Sequence, residues 1–398
     1  MENLLRAYTS PILRNFEVQE LKTFLPDYIT DFPKKLRAVE APGTSWEKIV
    51  QILNKNMEED EASNELIDAV LFEKLFFNQD HVHIYHLDSE IDANEFITRF
   101  EEEPQLNRHV NATIEAEEKF ISMRQIGNTV LILYRYETIK LGNSGQRAIF
   151  YVPCLLDFDK SLLQIRLRKH YAAASSTKHG EILSKMKDFI NSLDGDVSAQ
   201  PYSESDVHSM VYNIFKEESE KAESVIKEHM ADGLTEETIN EKILDFLEND
   251  LEMSEPELYS DRVKSAFYQD LSLHLDPSTF YNGFISAFTF LDKNFIRSST
   301  RNPKRDPIYN SKVYWNLKDL IHEYEEVSEL TCFWKFNEKD FDALPEGETF
   351  EFVEVSLRER NGSIEIHYYN SPSKQRRLKE DYVHYRISKY IFKETLSE

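Results

Sequence analysis

Residues 352–368 read FVEVSLRERNGSIEIHY, and their pattern decides the architecture. Val353, Val355 and Leu357 alternate with Glu354, Ser356 and Arg358, and beyond Asn361-Gly362 the alternation resumes through Ile364, Ile366 and Tyr368. A period of two sends successive side chains to opposite faces of a strand. Asn-Gly suits the two-residue type I′ turn, whose central residues both need positive φ. The stretch is predicted to be an antiparallel hairpin with one apolar and one polar face.

The same signature recurs upstream. Residues 120–126 and 129–141 flank Gly127-Asn128, and 148–156 and 161–168 flank Asp157-Phe158-Asp159-Lys160. Four strands in succession predict a meander, with a helix over 180–193 covering its buried face. Ahead of it, Thr44-Ser45-Trp46-Glu47 is a capping-box pattern that opens a helix carrying Ile49, Val50, Ile52 and Leu53. A second helix is predicted over 61–77, a strand over 81–87 and a short helix near 93–102. Asp194-Gly195-Asp196 and Pro201 read as a linker. Residues 203–261 then hold 18 Asp/Glu against 4 Lys/Arg at helical spacing, with a start signal at Thr235-Glu236-Glu237. The helical pattern is read on to about residue 291. Residues 297–310, basic and broken by Pro303 and Pro307, read as a loop. A helix follows over 314–327, and the C-terminal part is expected to end in antiparallel β. The fold class is α+β in three parts: 1–195, helices then an antiparallel meander; 202–295, an acidic helical region; 296–398, a C-terminal α+β unit with basic segments.

Composition narrows the function classes. The 398 residues carry a net charge of −25 and only 10 glycines, where average usage would give about 28. Phosphate-cradling folds need glycine where backbone meets pyrophosphate, and neither G-x-G-x-x-G nor a Walker A pattern occurs. Two cysteines, Cys154 and Cys332, exclude a disulfide framework and a zinc ribbon and suit a reducing cytoplasm. The opening Met1-Glu2-Asn3 lacks a signal-peptide pattern, and no apolar run approaches a membrane span, so no membrane partner is expected.

Four groups of residues bear chemistry. His81 and His83 share a strand face, the geometry for a shared metal, but two ligands do not make a site. Asp157 and Asp159, with Gln164 and Arg166 on the next strand, outline a Mg²⁺-dependent nuclease or phosphodiesterase, with Arg in place of the usual Lys. Arg stays protonated and serves phosphate, not proton transfer, and a tight turn uses Asp anyway. Glu365 and His367, with Glu354 opposite, read equally well as an exposed polar strand face.

The fourth group is three basic islands. One runs from Arg166 through Arg168, Lys169, Lys178, Lys185 and Lys187; the second holds Arg297, Arg301, Lys304, Arg305 and Lys312. The third holds Lys374, Arg376, Arg377, Lys379, Arg386, Lys389 and Lys393, interleaved with Tyr382, Tyr385 and Tyr390. Cations neutralise phosphates and aromatics stack bases, so these islands suit nucleic acid. The competing account pairs them with the acidic region inside the chain or between subunits of a homo-oligomer.

The sequence thus points to a non-catalytic binding or regulatory protein without cofactors. It would contact nucleic acid through Arg301, Lys304, Arg305, Arg376, Arg377 and Lys389, or a protein partner through the acidic helices. The Mg²⁺ enzyme is the first alternative and a structural subunit of a larger assembly the second.

Overall fold

The computed structural model describes residues 6–39, 43–113, 117–142, 145–230, 234–291, 297–337, 350–369 and 375–391. The chain divides into two compact units, residues 1–201 and 202–398. Each is mixed α+β with an antiparallel sheet.

The first unit opens with α1 (Ser10–Leu13), α2 (Val18–Phe24), α3 (Phe32–Ala38), α4 (Ser45–Glu59) and α5 (Glu61–Phe77). The predicted box opens α4, where the Glu47 carboxylate accepts from the Thr44 N–H at 2.7 Å. The Asp60 carboxylate caps α5 by accepting from the Ser63 N–H at 3.0 Å. Then come β1 (His81–Ser89), α6 (Ala93–Thr98), β2 (Phe120–Ile126), β3 (Thr129–Leu141), β4 (Gln146–Asp157) and β5 (Leu162–Leu167). The unit closes with α7 (Lys169–Ala174), α8 (His179–Leu193) and β6 (Val197–Gln200).

The meander forms as expected, in the order β2-β3-β4-β5, and β1 joins beside β5. Both faces are buried, where one was expected. Leu131, Leu133 and Leu155 pack under the N-terminal helices, while Val130, Ile132, Cys154 and Leu156 pack under α6, α7 and α8. This double cover explains the unbroken apolar run at 150–156, since a strand buried on both faces has no polar side to alternate with.

The second unit comprises α9 (Glu204–Glu228), α10 (Glu236–Asp245), α11 (Glu257–Leu273), β7 (Gly283–Leu291), β8 (Arg297–Arg301) and α12 (Lys312–Tyr324). It ends with β9 (Glu329–Phe336), β10 (Glu351–Arg360), β11 (Ser363–Tyr368) and α13 (Arg376–Ile391). Its strands run in the order β11-β10-β9-β7-β8. Asn361 and Gly362 have φ of 55° and 73°, as the hairpin turn requires. Helix α9 packs on β7, β9 and β10, with α13 beside it. Phe215 meets Phe288 at 5.4 Å between ring centroids, and Tyr382 stacks on Phe336 at 4.1 Å. The acidic region and the C-terminal segment therefore share one sheet, β7 coming from the former and β8 to β11 from the latter.

Three local expectations are corrected. Residues 283–291 are strand, not helix. Phe284, Ile285, Ala287, Phe288 and Phe290 satisfy both periods, and the aromatic and β-branched content after the Pro277 break decides for β. The predicted loop begins as β8, whose Arg-Ser-Ser-Thr-Arg has no apolar residue to reveal a period. The chain also follows its last strand with α13, whose charges obscure Val383 and Ile387, buried one turn apart.

Candidate nucleic-acid interface

The alternation of β10 sorts its side chains. Val353, Val355 and Leu357 are buried on one face; Phe352, Glu354, Arg358 and Arg360, with the buried Ser356 among them, belong to the opposite face. Register extends that face across the sheet: Phe333 lies opposite Glu354 and Phe284 opposite Phe333. A second row of small side chains runs Ala287, Thr331, Ser356, with Arg301 opposite Ala287.

Aromatic rings line one side of this row. Phe284 stacks on Phe333 at 5.0 Å and 18°, and Phe333 on Phe352 at 6.0 Å and 24°. Tyr281 extends the series at 5.8 Å from Phe284. The series ends in the open, with Phe352 53% exposed. Lys335 sits over the Phe350 ring at 4.0 Å, and Lys379, already paired with Glu351 at 3.1 Å, lies 5.8 Å from the Phe352 ring. Such an arrangement offers π faces beside cations, the two features that a single-stranded nucleic acid engages.

The second basic island borders this face. After β8 the chain turns, with the Lys304 N–H donating to Asn302 Oδ1 at 2.9 Å and the Arg305 N–H to Asn302 O at 2.9 Å. The turn gathers Arg301, Lys304 and Arg305, all exposed. Arg305 pairs with Glu354 at 3.1 Å and lies over the Tyr369 ring at 4.1 Å. Among the described residues, Arg301 and Lys304 have no carboxylate within ion-pair distance. Arg358 pairs with Glu365 at 2.8 Å, and Arg297 approaches Glu329 at 3.8 Å.

The third island is divided. Arg376 is buried, bonded to Glu380 at 2.6 Å and stacked over Tyr368 at 3.7 Å. Arg386 is buried against Glu218 at 2.7 Å and Glu217 at 2.9 Å, so here a basic residue does pair with the acidic region. Arg377 and Lys389 are exposed, with Lys389 over the Tyr385 ring at 4.5 Å. Lys374 and Lys393 lie outside the described residues.

The residues of the Mg²⁺ alternative are held by different parts of the first unit. Asp157 accepts from the Lys160 N–H at 3.1 Å within the turn, and Asp159 accepts from Asn128 Nδ2 at 2.6 Å. Arg166 is buried on β5, donating to Gln164 Oε1 at 2.5 Å and to the Phe76 carbonyl at 3.2 Å. His81 and His83 are buried on β1 opposite Leu167 and Ile165. Burial pushes the thiols of Cys154 and Cys332 well above the usual range, as expected of packed sulfurs. Among the described residues no helix is long and apolar enough to cross a membrane.

The cations of the β8 turn are contiguous in the sequence, whereas the aromatic series is not. Phe352 was its signal, an aromatic ring on the polar side of an alternating strand; Phe284 and Phe333 become neighbours only through strand order. Neither a family model nor a curated protein matches the chain.

Proposed function

We propose that the chain is a non-catalytic binding protein of a reducing cytoplasm, whose second unit takes single-stranded nucleic acid on this sheet face. The observation that carries the reading is the stacked series ending at exposed Phe352, bordered by the cations of the β8 turn. Stacking tolerates any base, so the binding is of low sequence preference. The net charge of −25 opposes a polyanion, but charges beyond about 8 Å are largely screened at physiological salt, which leaves the local cations to decide.

The test is fluorescence anisotropy of labelled single- and double-stranded DNA and RNA across a salt titration. Single strands should bind more tightly than duplex. Phe352→Ala should weaken that binding by roughly 5- to 150-fold, the range for one lost base stack. Arg301→Ala with Lys304→Ala should weaken all sequences alike and flatten the salt slope by about 1 to 1.5. These exposed positions suit the test better than Arg376, whose removal would break a buried ion pair with Glu380. Absence of binding at low salt, or binding indifferent to all three substitutions, would sink the proposal.

A further inference from the structure

A separate surface lies on the acidic helices. Helix α10 continues through a π-helical turn, Phe246–Asp250, in which the Leu251 N–H donates to the Phe246 carbonyl at 3.1 Å. The chain then folds back, with the Met253 N–H bonded to the Leu247 carbonyl at 3.0 Å and Glu252 at φ 52°, before α11 begins. Beneath this tip Ile239, Ile243 and Leu247 pack with Met253, Val263 and Phe267 as a small core of their own.

The π turn has a geometric effect. Adjacent Phe246 and Leu247 go to opposite fates: Leu247 is buried in the small core, and Phe246 is exposed. Leu251, Leu258 and Tyr259 are exposed as well, Leu258 to 67%. Four large apolar side chains within 14 residues stand exposed about one hairpin tip, an exposure of the kind that marks an interaction site. Its surroundings choose the occupant. Between Asp245 and Asp261 the chain carries seven carboxylates, all exposed, and no Lys or Arg.

We infer that the α10–α11 tip docks a cationic amphipathic helix of a partner protein. The partner's apolar stripe covers Phe246, Leu251, Leu258 and Tyr259, and its flanking Lys and Arg meet the carboxylates on either side. An acidic rim steers a basic partner inward and rejects acidic ones. A second copy of this chain would bring the same acidic rim to its own tip, which like-charge repulsion opposes.

The probe is a labelled Leu/Lys peptide patterned with a helical period, titrated against the full chain, with a scrambled peptide of identical composition beside it. The patterned peptide should bind more tightly than the scrambled one. Leu251→Ser with Leu258→Ser, both exposed and so harmless to the fold, should weaken it by about tenfold or more, as loss of apolar anchors does. Glu248→Gln with Glu255→Gln and Glu257→Gln should flatten its salt dependence. Equal binding of both peptides, or binding indifferent to the leucine changes, would reduce the interaction to charge alone and overturn the inference. Sedimentation of the chain without peptide decides against it too if a dimer forms that the leucine substitutions dissociate, because the tip would then belong to a second copy.

Discussion

Arg386 is a charge carried into the interior. Its guanidinium lies at 2.7 Å from Glu218 and 5.0 Å from the centroid of Trp334, and both carboxylate and indole are buried with it. Lys221 joins Glu218 at 3.1 Å, and the Tyr390 hydroxyl donates to Glu217 at 2.7 Å. The site has no slack: a Cβ at Gly283 would stand 3.1 Å from Glu218 Oε2. Burial alone would raise the Glu217 carboxyl, yet Arg386, Tyr390 and Lys221 outweigh it and bring the group down to about 2. Breaking a buried pair by removing one partner costs about 3–5 kcal/mol, because the other is left uncompensated. Arg386→Leu should therefore lower the unfolding free energy by about that amount in urea, softened by Lys221. Glu218→Leu added to it should recover part of the loss. A double variant no more stable than Arg386→Leu would show that the packing of the long side chains matters more than their charges.

At the scale of elements, the β10–β11 hairpin was fully legible because both of its signals are local: alternation along each strand and Asn-Gly between them. The turn can be tested where it was read. Gly362 sits at φ 73°, so Gly362→Ala should destabilise the chain by about 1 kcal/mol or more, measured by chemical denaturation. A neutral substitution would mean the turn readjusts. Legibility fades as the stabilising contacts become distant. Strand β8 has no pattern of its own and exists because β7 offers it a ladder, Arg301 opposite Ala287 and Arg297 opposite Leu291. Helix α13 buries Arg376, Glu380 and Arg386, residue types that sequence alone assigns to solvent, because Arg376 and Glu380 pair with each other and the carboxylates of Glu217 and Glu218 on α9 take Arg386. The candidate interface divides along the same line. The cations of the β8 turn are contiguous in sequence, whereas the stacked rings come from three strands up to 68 positions apart, Phe284 to Phe352.

For the molecule as a whole, both units shape the acid limb of stability: burial lowers His170 in the first, and the second holds His322 and Glu217. Burial, with help from Lys318, holds His322 down to about 4, and the Tyr212 hydroxyl lies 3.2 Å from its Nδ1. The unfolded chain takes up this proton first. The stability His322 contributes is thus full above its ordinary value of 6.5 and is lost as pH falls towards 4. Glu217, lowered from 4.5 to about 2, extends the loss through that lower window. The melting temperature should fall as pH drops from 6.5 to 4, and His322→Gln should make that segment shallower while leaving the lower one in place. An unaltered profile in the variant would remove His322 from the account. The placement of the three tryptophans has an optical consequence. Trp46, whose indole donates to the Phe16 carbonyl at 3.2 Å, belongs to the first unit, and Trp315 and Trp334 belong to the second. Trp334 lies beneath the Arg386 guanidinium and meets Tyr382, on the far side of β9 from Phe333. With Trp46→Phe and Trp315→Phe its emission is therefore a gauge of whether α13 is seated, and a colour shift on adding an oligonucleotide would report a change around that helix.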